Sequence, residues 1–296
     1  MPTIGFIGLG NMGAPMAANL VKAGSHVLGF DVVAAARQAA AQDGVQIVAN
    51  ARGTVDDADV VISMLPGGEH VLAVWNDVVP LARQGTLFID CSTIDVGSAR
   101  KAHTLAAGRG IATLDAPVSG GVGGAKAATL TFMVGGSKEA FARGKPILER
   151  MGKRVVHCGE AGNGQVAKIC NNMILGASMI AVGEAFVLGE KLGLSHQALF
   201  DVASASSGQC WSLTSYCPVP GPVPTSPANN GYKPGFAAAL MLKDLKLARE
   251  AAASVGAKTA LGAHAAELYE QFEQQGHGAS DFSGIINFVR EQSKRG

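Results

Sequence analysis

Charge is scarce in this sequence and thinly spread. Of 296 residues only 16% are charged, the formal net charge is +1, and lysine and arginine form no runs. The missing basic patch argues against nucleic acid or an anionic membrane as the main partner. Cysteine is sparse too: Cys91, Cys158, Cys170, Cys210 and Cys217 are odd in number, and no two are spaced C-x-x-C. That pattern predicts buried or free thiols in a reducing compartment, not a disulfide framework. No histidine pair has helix-face ligand spacing and no Cys/His cluster resembles a zinc site, so no protein-bound metal is expected. Long apolar runs are missing as well. In the most apolar helical stretch only eleven residues separate Asn172 from Glu184, short of the ~20 a membrane span requires. The first strand starts almost at once, "TIGFIGLG", which leaves no room for a signal or transit peptide. What remains is a 48% apolar composition, sufficient for one large or two ordinary domains with a sizeable core.

The chain has two rhythms. From residue 3 to about 158, β-rich runs such as "TIGFIGL", "HVLGFD", "DVVISML", "TLFIDCS", "ATLDAPV" and "LTFMVGG" alternate with helical segments near 11–23, 69–83, 95–108 and 137–151. Continuously apolar strands alternating with helices predict a parallel, doubly wound sheet covered on both faces. After residue 162 the β signal stops. Helical periodicity follows near 163–193, 195–206, 237–256, 258–275 and 281–293. One loop interrupts it, residues 217–234, with five prolines between positions 218 and 227. Prolines at that density deny a helix its donors, and a loop of such length inside a compact domain is unusual enough to suggest function. Two domains are expected, 1–162 α/β and 163–296 all-α.

"FIGLGNMGAPMAANL" carries Gly8, Gly10 and Gly13 as G-x-G-x-x-G, with Asn11 and Met12 between them. Alone this pattern is weak, but here it follows an apolar strand and opens a periodic helix. Gly8 then permits the tight turn, Gly10 the approach of a pyrophosphate, and Gly13 close helix–strand packing. The helix N-terminus offers free N–H groups and the positive end of its dipole. Asp31 ends the second strand, eighteen residues after Gly13, where a carboxylate would accept the adenine-ribose hydroxyls and repel a 2′-phosphate. A Rossmann-type domain binding NAD in preference to NADP is the expectation; Arg37 is the residue that could spoil that preference. Ligands of such sheets lie beyond the carboxyl ends of the strands. Leu65, Pro66 and His70 in "SMLPGGEH", and Ser92 and Thr93 in "DCSTI", are therefore candidates to line the ribose and nicotinamide, although His70 reads equally as an exposed loop histidine.

Ser119, Gly120 and Gly121 follow another strand. Their backbone N–H groups and the serine hydroxyl suit a substrate carboxylate, with a flexible glycine hairpin as the alternative. In "GNGQVAKICNNMILG", Lys168, Asn172 and Gly176 fall at i, i+4 and i+8, off the apolar stripe Val166, Ile169, Met173, Ala177, Ile180. A lone lysine there would be a solvated side chain. Beside an amide and downstream of a nucleotide domain, it is a candidate to take the hydroxyl proton as a C–H bond breaks. Burial beside apolar groups and a cationic ring would favour its neutral form. Lys243 in "LMLKDLKLARE" could reach cofactor or substrate, or lie on the surface.

Four stretches, "FIGLGNMGAPMAANL", "DAPVSGGVGGA", "GQVAKICNNM" and "LMLKDLKLA", stand in the order and spacing of the β-hydroxyacid dehydrogenase family, which the chain resembles from end to end. Within it, "SSGQCWSLTSYCPVPGPVP" looks most like the branch oxidising 3-hydroxyisobutyrate to methylmalonate semialdehyde with NAD in valine breakdown. The resemblance implies that Lys168 is the acid/base and that Ser119, Gly120, Gly121 and Asn172 hold the substrate. It also implies that Lys243 and Asp244 lie where cofactor and substrate meet, that Trp211 closes the pocket, and that the molecule is a homodimer or homotetramer. The implied setting is cytoplasmic, and a processed mitochondrial matrix form fits the same sequence. Ala128 stands where the family usually has glycine, and the residues 208–210, "GQC", differ among members; both bear on substrate choice. Sister enzymes acting on tartronate semialdehyde, L-serine or L-threonate share most of these motifs. A non-catalytic dinucleotide-binding module is the alternative of another class, and Lys168 argues against it.

Overall fold

The structure, a computed structural model, describes residues 1–294. It divides into two compact units, Met1–Lys168 and Ile169–Gly296. The division falls inside a helix and not ahead of it.

The first unit is built on nine strands: β1 (Thr3–Ile7), β2 (His26–Phe30), β3 (Gln46–Ile47), β4 (Val60–Ser63), β5 (Leu87–Asp90), β6 (Ala112–Asp115), β7 (Val118–Ser119), β8 (Leu130–Gly135) and β9 (Gly152–Gly159). β3, β2, β1, β4, β5 and β6 lie side by side and parallel. The purely parallel expectation fails at the far edge, where β6 and β7 both run antiparallel to β8, and β9 returns parallel to it. Pro117 sits between β6 and β7 and lacks the N–H that would keep them one ladder. Alternate side chains feed different layers, as the two-residue period requires. Ile4, Phe6, Ile62 and Ile89 join one core with Met16 and Leu20 of α1 (Gly13–Lys22) and Ile147 of α6 (Lys138–Leu148). Ile7, Val61 and Phe88 join the other, with Trp75 of α3 (Gly68–Val78) and Ala102 of α4 (Val96–Ala107). Coverage on both faces explains why these strands are apolar throughout. Two further helices belong to this unit, α2 (Ala34–Gln42) and the short α5 (Gly121–Lys126). Asp95 and Ser137 cap α4 and α6, accepting from Ser98 N and Ala140 N.

The helix α7 (Asn163–Lys191) begins in the first unit and continues in the second. By length and composition alone it would pass for a membrane span; counting only the eleven residues between Asn172 and Glu184 understated it, because such a stretch tolerates a charge. The second unit adds α8 (His196–Ser204), α9 (Trp211–Thr214), α10 (Ala238–Ser254), α11 (Ala260–Phe272) and α12 (Ile285–Gln292). Met179 and Ile180 of α7 pack there with Met241 and Leu245 of α10, Tyr269 and Phe272 of α11, and Ile285 of α12. That packing accounts for part of the apolar character of α7; Ile174 and Leu188 on the same helix are exposed.

The proline-rich loop is an ordered structure closed on itself. Cys217 and Val219 are fully buried, Ser226 Oγ donates to Cys217 O, and the Tyr232 hydroxyl donates to Pro218 O at 2.9 Å. One buried carboxylate holds both of its feet. Asp281 accepts from the Tyr216 hydroxyl (2.9 Å) on one side and from Gly235 N and Phe236 N (2.9 and 3.1 Å) on the other.

Candidate active site

β1 pairs with both β2 and β4, so the strand order reverses at its edges, and the loop after it opens where ligands of doubly wound sheets bind. Gly8 has φ +97°, and a Cβ there would strike the Met64 carbonyl; a Cβ at Gly13 would strike the Gly8 carbonyl. Both glycines are demanded by the fold itself. Gly10 differs, since a Cβ on it would meet nothing within 4 Å. The packing of the protein leaves Gly10 bare, and a phosphate approaching the backbone supplies the reason. No side chain caps α1 at Met12, and no acidic residue occupies its first turn; Ala14 N donates to Gly10 O at 3.0 Å and Pro15 has no N–H, so what this turn offers an anion is chiefly the positive end of the helix dipole. Asp31 holds this loop in place. Its Oδ2 accepts from Leu9 N and its Oδ1 from Val33 N, both at 2.7 Å. Each oxygen keeps a lone pair for a ribose hydroxyl. Arg37 is bound to backbone, donating to Asp31 O (2.6 Å) and Val32 O (3.1 Å), with its guanidinium 5.9 Å from the Phe30 ring.

The loops after β4 and β5 are tied together by a buried polar chain. Trp75 Nε1 donates to Ser63 Oγ (3.1 Å), and Ser63 Oγ donates to Asp90 Oδ1 (2.7 Å). Ser92 Oγ also donates to Asp90 Oδ1 (2.6 Å) and accepts from Leu65 N (2.8 Å). The Ser92 hydroxyl is therefore committed inside the protein, and Ser92 is fully buried. Leu65 is positioned through its backbone. Burial pushes the Asp90 carboxyl up to about 6, against the hydrogen bonds from Ser92 and Ser63 that favour its charge. His70 is exposed in the first turn of α3, its Nδ1 3.7 Å from Glu69 Oε1.

The third loop runs from β6 into α5. Gly120 and Gly121 have φ of +131° and +59°, a path that strains any other residue. Ser119 is partly exposed beside them. Lys168 is 7% exposed, and its Nζ donates to Val118 O at 2.9 Å; a solvated side chain is excluded. The start of α7 is gripped by the same loop. Asp115 Oδ1 accepts from Gly162 N (2.8 Å) and contacts His103 Nε2 (2.9 Å), while Asp115 Oδ2 accepts from Gln165 N (3.0 Å). The Gln165 side chain donates to Ser92 O (2.7 Å) and accepts from Ile94 N (3.1 Å). These bonds are why the first turns of α7 belong to the first unit.

In the second unit Asn172 is buried, one helical turn beyond Lys168 on α7, and its Nδ2 donates to Asp244 Oδ2 of α10. Gly176 lies on that seam as well: a Cβ there would press on Leu245 and Met241. Gly176, expected off the apolar stripe with Lys168, is thus set by helix packing. Lys243 precedes Asp244 on α10 and is partly exposed. Trp211 opens α9, 52% exposed, and its ring stacks on Tyr216 at 4.9 Å, which stacks on Phe282 at 5.3 Å. Asp115, Gln165, Tyr216 and Asp281 escaped the sequence reading. The signal for Gln165 was available: a glutamine three residues before the lysine shares its side of the helix.

Comparisons with known proteins bear on the family and the fold. A family model described as the NAD binding domain of 6-phosphogluconate dehydrogenase matches residues 3–159. Another, described as NAD-binding of NADP-dependent 3-hydroxyisobutyrate dehydrogenase, matches residues 162–289. A probable 3-hydroxyisobutyrate dehydrogenase of Mycobacterium tuberculosis is 56% identical over 99% of both chains. An NAD-dependent L-serine dehydrogenase of Pseudomonas aeruginosa is 47% identical over 96% of this chain and 97% of its own. The solved structure of the M. tuberculosis 3-hydroxyisobutyrate dehydrogenase with L-serine superposes with a TM-score of 0.96, covering 98% of this chain and 99% of that one. A NAD-binding sheet domain, a following helical domain, and this identity from end to end make the chain a member of the 3-hydroxyisobutyrate dehydrogenase family of NAD-dependent dehydrogenases.

Proposed function

We propose that the protein oxidises 3-hydroxyisobutyrate to methylmalonate semialdehyde, with Lys168 as acid/base and NAD preferred over NADP. The observation carrying this reading is the burial of the Lys168 amine against Val118 O, next to Ser119–Gly121. NAD, when bound, supplies the hydride acceptor. Lys168 takes the hydroxyl proton as the carbinol C–H bond breaks and returns it in the reverse direction. The Ser119 hydroxyl and the backbone of Gly120 and Gly121 hold the substrate carboxylate.

A second reading has its own support, in the relative named for L-serine and the related structure solved with it. The two substrates share the HO–CH2–CH–COO⁻ skeleton and differ at one carbon, a methyl in one and an ammonium in the other. An apolar surround at that carbon would reject the ammonium through its desolvation. Initial rates of NAD reduction with both 3-hydroxyisobutyrate enantiomers, L-serine, glycerate, L-threonate and 3-hydroxypropionate separate the readings. The highest kcat/KM is expected for 3-hydroxyisobutyrate, and a higher value for L-serine reassigns the substrate. Lys168→Ala is expected to bind NAD nearly normally and lose turnover by about 10²–10⁴-fold; near-wild-type rates would remove the lysine from the chemistry.

A further inference from the structure

We propose that Gln165 is a positioning residue, locking the lysine-bearing turn of α7 to the loop that lines the nicotinamide. The inference rests on the acid/base reading of Lys168 and on the placing of Thr93, in the loop after β5, beside the cofactor. Gln165 is fully buried. Its amide donates to Ser92 O and accepts from Ile94 N, so one side chain grips the β5–α4 loop on both sides of Thr93. Its backbone N–H is held by Asp115 Oδ2, and the same carboxylate takes Gly162 N. A Cβ at Gly164 would collide with the carbonyls of Met133 and Asp115, so this turn is seated directly on strand backbone. Gln165 and Lys168 are three residues apart and share a side of the helix.

The chemistry requires such a link. Hydride and proton leave neighbouring atoms of one substrate, toward acceptors carried by different parts of the chain. Reacting atoms have to stand about 3–3.5 Å apart, and a 1 Å misplacement costs about 10²-fold. A glutamine suits the position because it alone offers a donor and an acceptor, uncharged, at that length. Leucine or methionine would fill the space and leave Ser92 O and Ile94 N without it. The grip also reaches further, because Ser92 Oγ takes Leu65 N, so the loop after β4 moves with the loop after β5.

The test is Gln165→Met, near in size and without the hydrogen bonds, in the full chain with NAD and 3-hydroxyisobutyrate deuterated at the carbinol carbon. Expected are a kcat about 10²-fold lower, NAD affinity and substrate KM within about threefold, and a larger deuterium isotope effect, since misplacement slows the hydride step itself. A kcat within about threefold of wild type overturns the proposal. So does a loss that appears only as weaker NAD binding and vanishes at saturation. Gln165→Glu gives a second, independent reading. Its ionised carboxylate faces Ser92 O, and protonation restores a donor, so its deficit relative to wild type should shrink as pH falls; a deficit constant with pH overturns the proposal even where the methionine variant does not fold. Failure of the underlying reading looks different, because then Lys168→Ala itself stays active.

Discussion

Asp90 is buried at the end of β5, where it receives Ser63 and Ser92 through one oxygen while its Oδ2 has no hydrogen-bond partner among the described residues. Its carboxyl is displaced upward from the ordinary 3.8 to about 6, and the sign follows from proton linkage. A folded state that holds the proton more tightly than the unfolded one is favoured most below pH 3.8. That advantage is lost as pH rises to about 6, and amounts to about 3 kcal/mol at most. Replacing Asp90 by Asn removes the titration. Denaturant unfolding of wild type and Asp90→Asn between pH 4 and 7 should show wild type losing stability relative to the variant, and parallel pH curves would contradict the assignment. Sequence alone placed Asp31 and Lys168 because a strand end and a helix phase fix where such residues point. It passed over Asp90, Asp115 and Gln165, since nothing in a linear pattern tells a carboxylate or amide holding two loops from one facing solvent.

At the scale of the element, the turn after α5 shows what the family glycine does. Thr129 N donates to Gly124 O at 2.9 Å, closing the helix with Ala128 at φ +54°, the left-handed position that ends many helices and favours glycine. Ala128 bears a Cβ there, at a cost of about 1–2 kcal/mol, partly offset by the lower chain entropy of alanine when unfolded. Ala128→Gly is accordingly expected to stabilise the protein by about 0.5–1 kcal/mol, read as a raised melting temperature; an unchanged or lowered one would show that the turn bears no strain. Long elements such as α1, α4, α7 and α10 were legible from their periodicity. β7, α5 and α9 were not, because elements of two to six residues span fewer than two periods and are set by the backbone they lie against.

For the molecule as a whole, two domains of different class were readable from the change of rhythm near residue 162, while the division inside α7 was not. It depends on side-chain bonds that join residues far apart in sequence, Gln165 to Ser92 and Lys168 to Val118. Cofactor choice is measurable at this scale. A ligand at about 100 times its Kd stabilises the native state by about 2.7 kcal/mol, which raises the melting temperature by several degrees. NAD is expected to give that rise, and NADP at equal concentration a distinctly smaller one, because the Asp31 carboxylate meets the 2′-phosphate. Equal shifts would shift attention to Arg37, whose guanidinium would then have to leave the carbonyls of Asp31 and Val32.

The loop stapled by Asp281 has a bearing on how this protein meets proteases. Irregular, exposed segments are where cleavage ordinarily begins. Here Tyr216 precedes the loop and Gly235 and Phe236 follow it, and all three are held by a single carboxylate. A nick anywhere between them would produce two stumps still fastened to the same point, so the peptide bond could be lost without α9 and α10 coming apart.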